Sequence, residues 1–120
     1  MTAYAQRLIG VKSHYPFADW ESEELEQYTP EACAAFAVIF DQLIDRLIAA
    51  GELASEDAKL RAFEDAVSET NILNEEDDSL IETGEREALC DLFNQVARAA
   101  GLNPEAYADG EGPASLWRDW

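Results

Sequence analysis

The chain has 120 residues, 48% of them hydrophobic, and carries 26 acidic against 8 basic residues for a net charge of -18. That length suits one domain and that apolar content supplies a core, which excludes disorder throughout. The charge excludes direct binding to nucleic acid or an anionic membrane and favours cations or a basic protein.

Residues 3 to 12 place Tyr4, Leu8 and Val11 at helical spacing, with Ala5 and Ile9 alongside, and predict a first helix. The start, MTAYAQRLIG, has neither the charged-then-apolar layout nor the cleavage site of a secretory leader, so a cytoplasmic protein is expected. Ser13 to Phe17 breaks the helix, because Pro16 biases Tyr15 toward an extended conformation. Asp19 to Tyr28 is acidic and predicts a brief helix capped by Asp19, with Trp20, Leu25 and Tyr28 turned inward.

Thr29 to Gly51 is the predicted core helix. Thr29 is a suitable N-cap, Pro30 suits the first helical position, Glu31 suits the first turn, and Gly51 is a left-handed cap candidate. Phe36, Phe40, Leu43 and Leu47 share one face, which Cys33, Ala37, Ile44 and Ile48 widen. The uncharged run stops at Asp41, short of the ~20 apolar residues a membrane span requires.

Ser55 opens the next helix, with Glu56 and Asp57 in its first turn. Ala58, Ala62, Ala66 and Leu60, Phe63, Val67 form two adjoining rows, and the short loop before Ser55 predicts that this helix lies antiparallel to the core helix. After Thr70 the pattern weakens, and the run Asn74 to Asp78 predicts a loop or helix junction. Ser79 with Glu82 has the form of a capping box, while Gly84 allows a later start at Thr83. From Glu85 to Ala100 a helix is clear, with Leu89, Leu92, Phe93, Val96, Ala97 and Ala100 on one face and Gly101 as C-cap. Pro104 to Ala108 predicts a final short turn, Asp109 to Pro113 is turn-like, and Leu116 and Trp117 are expected to dock on the domain or on a partner. No strand pattern occurs. The expected fold is all-α: one domain, residues 1–120, a helical bundle with three main helices, short N-terminal helices and an ordered C-terminal tail.

Chemistry narrows next. His14 is the only histidine, so neither a multi-histidine zinc site nor a di-iron Glu-x-x-His pair can be built. Cys33 and Cys90 lie within apolar helical patterns and are expected as small hydrophobes in a reducing compartment. No EF-hand loop, phosphate-binding loop or nucleophile elbow is present, and Ser13 beside His14 makes no triad without an orienting carboxylate. The run Glu75 to Asp78 offers weak Ca²⁺ or Mg²⁺ ligands, though a solvated loop accounts for it as well. No cofactor is expected.

The pairs Glu21, Glu24 and Glu82, Glu85, each i, i+3, are similar to the carboxylate pairs of all-α nucleotide pyrophosphohydrolases of the MazG type. That likeness implies Mg²⁺-dependent hydrolysis, but the E-x-x-D half of the motif is not reproduced and no basic cluster waits for a phosphate chain.

Binding is the remaining reading. The carboxylates concentrate in Asp19 to Glu31 and Glu64 to Asp91, and the expected partner contacts are Glu21, Glu24, Glu64, Glu69, Glu75, Glu76, Asp77, Asp78, Glu82 and Glu85. Trp20 and Trp117 are the aromatic candidates, with Trp120 behind them, and core packing is the competing role of each. In size, charge and lack of catalytic motifs the chain resembles the small acidic helical immunity proteins of bacterial toxin–immunity systems. The resemblance implies a non-enzymatic inhibitor that covers a basic toxin. A nucleic-acid mimic directed at a DNA-binding protein is the alternative of the same charge.

Overall fold

The computed structural model describes residues 2–22, 29–76 and 81–120, with the side chains of Glu21 and Ser22 left aside. The fold is all-α. Its helices are α1 (Ala3–Gly10), α2 (Phe17–Ser22), α3 (Pro30–Ala50), α4 (Glu56–Glu76) and α5 (Thr83–Ala99), with short 3₁₀ turns after α1 and along the C-terminal tail.

Helix α3 lies at the centre because of its spacing. Phe36, Phe40, Leu43, Ile44 and Leu47 are all fully buried, and α1, α2 and α4 pack on it. Its start is as expected: the Thr29 hydroxyl accepts from Ala32 N at 3.1 Å, and Pro30 costs no hydrogen bond. Its end differs from expectation. Gly51 has φ 90° and ψ 160°, which is not the left-handed helical region but one that only glycine enters readily.

The N-terminal segment packs differently from its sequence pattern. Helix α1 stops at Gly10 and tightens into a 3₁₀ turn, Val11–His14. Helix α2 begins at Phe17, so Asp19 sits in its first turn and not at its cap. Phe17, expected in a break, is 4% exposed and stacks on Phe36 with centroids 5.7 Å apart. Trp20 meets Phe36 edge-on at 5.7 Å. These contacts add directional aromatic packing to burial. Leu25 and Tyr28 lie outside the described residues.

Helix α4 starts as expected, with Ser55 Oγ accepting from Ala58 N at 3.1 Å. Its inward face is Ala62, Phe63, Ala66 and Val67, while Ala58 is exposed. It runs antiparallel to α3: Arg46 meets Glu69, while Val38 and Gln42 lie beside Ile72 and Glu76. It also continues through Glu76, past the junction expected at Asn74. The apolar pattern fades there because polar side chains take over the packing. Thr70 Oγ1 donates to Ala66 O at 2.9 Å, Asn71 Nδ2 donates to Trp117 O at 3.0 Å, and Asn74 Oδ1 accepts from Ile81 N at 2.9 Å. Ser79 and its capping box lie outside the described residues, and α5 takes the later start at Thr83.

Helix α5 buries Leu89, Leu92, Phe93, Val96, Ala97 and Ala100 as its spacing requires. It closes in a Schellman motif: Leu102 N donates to Ala97 O and Gly101 N to Arg98 O, with Gly101 at φ 85°. The tail then folds back on α4 and α5. Asn71 grips it on both sides, donating to Trp117 O and accepting from Asp119 N. Trp117 and Trp120 are half-buried against the core, while Leu116 remains 45% exposed.

One charged side chain belongs to the interior. Lys59, on the inward face of α4, is 6% exposed and donates from Nζ to Glu52 O and Ala100 O, both at 2.8 Å. It lies 5.4 Å from the Tyr4 ring centroid, and Tyr4 Oη donates to Leu47 O at 3.0 Å. Burial, first, and the nearby Glu52 carboxylate hold the Tyr4 phenol above its ordinary pKa, so it remains a donor. Arg7 adds a bond from Nε to Ala99 O at 3.4 Å. Two cations thus serve the Ala99 and Ala100 carbonyls at the C-terminal end of α5, where the helix dipole favours positive charge, and Lys59 also ties down the Glu52 carbonyl in the loop after α3.

Candidate partner-binding surface

The bases are largely consumed by the fold. Arg7, Lys12, Arg46 and Arg118 form the four ion pairs among the described residues, with Glu52, Asp41, Glu69 and Glu111. Eight basic residues against 26 acidic ones leave most carboxylates in excess of the bases, and that excess sets up an attractive field for cations.

Helical spacing sorts the carboxylates of α4 into two stripes. Glu64, Ser68, Asn71 and Glu75 form one, on the side where Asn71 holds the tail. Glu75 shares a proton-mediated bond with Asp119, and that bond, ahead of charge repulsion, raises the Glu75 pKa. Asp65, Glu69, Ile72 and Glu76 form the other stripe, beside α3.

This second stripe borders a hollow of about 350 Å³ between the two long helices. Ala35, Val38, Ile39 and Gln42 line it from α3, and Glu69, Ile72, Leu73 and Glu76 from α4. Val38 is 50% exposed and Ile72 53%. The Arg46–Glu69 pair at its edge is loose at 3.6 Å, and Arg46 Nη1 and Glu69 Oε2 are buried without a hydrogen-bond partner. Glu75 and Glu76 occupy the last turn of α4 with no base in that turn, where the helix dipole disfavours negative charge. These carboxylates are held against local electrostatics.

The other expected contacts fall elsewhere. Glu82 is exposed at the N-cap of α5 and makes no capping bond, and Glu85 is half-buried in the first turn. The dipole favours both positions, which gives them a role in the helix itself. Trp20 is 6% exposed within the aromatic cluster, so the expected partner contact does not fit its burial. Trp117 packs on the core beside the chain carbonyl that Asn71 holds. Glu24, Asp77 and Asp78 lie outside the described residues, as does the side chain of Glu21. The geometry of the pyrophosphohydrolase-like carboxylate pairs therefore reduces to Glu82 and Glu85. Among the described residues, no group of three or more His, Cys, Asp or Glu side chains is placed to hold a metal ion. Cys33 is buried and Cys90 half-buried, both as thiols, and burial pushes the Cys90 thiol up despite Arg118 and Arg86 nearby.

Val38 was not singled out in the sequence, and Ile72 stood only as a fading helix pattern. The signal that finds them is an apolar residue off the inward stripe on each of two neighbouring helices.

Among the described residues, no helix is long and apolar enough to cross a membrane. No protein-family model matches the chain, and neither a curated protein nor a solved structure matches it.

Proposed function

We propose that the chain is a non-enzymatic binding protein that neutralises a basic partner, with the cognate toxin of a bacterial toxin–immunity pair as the first expectation. One observation carries this reading: the half-exposed apolar residues Val38 and Ile72 line a hollow bordered by a carboxylate stripe of α4, in which Glu69 alone meets a base among the described residues. Apolar side chains framed by charge supply a desolvated centre and a steering rim. Carboxylates in the last turn of α4 weaken the helix that carries them, which fits selection for a surface property.

The test is co-purification from the native host followed by an activity assay. A basic protein recovered in equal stoichiometry, whose own activity stops when this chain is added, supports the reading. Partners that all leave as salt rises, or a bound partner whose activity is unaffected, would count against it.

A further inference from the structure

The groove between α3 and α4 favours one kind of occupant. We propose that it receives an amphipathic helix of the basic partner, with the apolar stripe against Val38 and Ile72 and lysines or arginines along both margins. This rests on the reading of the chain as an acidic binding protein and says which part of the partner it grips.

The margins carry the charge argument. On α3, Glu31, Val38, Gln42 and Asp45 recur at helical spacing, and on α4 so do Asp65, Glu69, Ile72 and Glu76. Glu69 and Glu76 border the hollow itself, Glu31 and Asp45 lie beyond it along α3, and Arg46 is already turned to Glu69. A second copy of the chain would set carboxylates against carboxylates on molecules of net charge -18. An anionic bilayer is repelled in the same way.

The chemistry of the walls selects a helix. Short of the last turn of α4, the backbone polar groups of α3 and α4 are used within each helix, so most of the groove presents side chains alone. An extended peptide would bring unpaired N–H and C=O groups onto an apolar floor, whereas a helix brings none. From Glu31 to Asp45 is 14 residue steps, about 21 Å at a rise of ~1.5 Å per residue, the length of a helix of about four turns. The Arg46–Glu69 pair is loose at 3.6 Å and its two side chains are 39% exposed, so an incoming base can compete with Arg46 for that carboxylate.

The probe is a pair of Leu/Ala/Lys peptides about four turns long, identical in composition. One has its leucines on a single helical stripe and the other has them spread around the helix. Binding is read by fluorescence anisotropy at ~0.15 M salt. The striped peptide is expected to bind about tenfold or more tightly than its isomer. The double substitution Val38→Ser, Ile72→Ser should erase that preference while the melting curve stays that of the unsubstituted protein. Equal binding of the two peptides, or a preference that survives the substitutions, overturns the groove while the acidic reading stands. Binding of neither peptide, even at low salt, overturns both.

Discussion

The α3–α4 pair has two faces that treat their residues in opposite ways. Inward, Phe36, Phe40, Leu43, Leu47, Phe63 and Val67 are fully buried, and even the Lys59 ammonium has two carbonyls and an aromatic face as company. Outward, Val38 and Ile72 are half in water, and at their edge the buried atoms Arg46 Nη1 and Glu69 Oε2 have no hydrogen-bond partner. The inward face is completed by this chain alone. The outward face holds the same kinds of group, apolar and charged, without the partners that would complete them. A polar group is thus classified by what surrounds it and not by its type.

The sharpest way to break the contrast is on the inward side. Phe40, whose ring lies 4.5 Å from that of Phe93, leaves a large cavity when truncated. Phe40→Ala is expected to cost about 3–5 kcal/mol in urea unfolding, and an unchanged midpoint would remove α3 from the centre of the core. Lys59→Met keeps the packed stem but strands the Glu52 and Ala100 carbonyls. It should cost about 2–4 kcal/mol, although changes at a single lysine are ordinarily mild. On the outward side, Val38→Ser and Ile72→Ser should each move stability by no more than about 0.5 kcal/mol. A larger loss would place them in the core and close the groove.

The smallest effect concerns the other stripe of α4. The Glu75 carboxyl is raised in the folded protein by its bond to Asp119, so the native state holds that proton more tightly than the unfolded chain does. Its contribution is present below the ordinary carboxylate pKa and fades as pH rises through the raised value. Tryptophan emission from Trp117 and Trp120 should therefore report a slight loosening of the tail between acid and neutral pH. Glu75→Gln, which keeps a hydrogen-bond donor at all pH, should flatten that change.

The inward face was legible in the sequence because burial writes itself as periodicity. Phe36, Phe40, Leu43 and Leu47 on α3 and Leu89 to Ala100 on α5 follow the helical repeat and are buried accordingly. Lys59 was not legible, because a hydrophobic pattern skips a charged residue and its acceptors lie at Glu52 and Ala100, on other elements. The last three residues of α4 were misread for a related reason: Asn71 and Asn74 replace apolar contact with bonds to the tail and to Ile81. For Trp20 the sequence left core packing and partner contact side by side, and its burial against Phe17 and Phe36 fits the first. The acidity of the candidate surface stood plainly in the composition. Its division into two stripes, and the apolar hollow beside one of them, depended on which face of α4 meets α3.

The hydrogen bonds of α1 also set an order in time. Tyr4 reaches Leu47, and Arg7 reaches Ala99, 92 residues away. During synthesis α1 leaves the ribosome first among the described helices, yet its acceptors follow only when α3 and then α5 have been made. The earliest helix is therefore not fully secured until α5 has been made. Until Ala99 and Ala100 emerge, the Lys59 ammonium and the seat of Tyr4 stand open, and the nascent chain is held by the α3–α4 hairpin, whose contacts close the shortest loop between long helices.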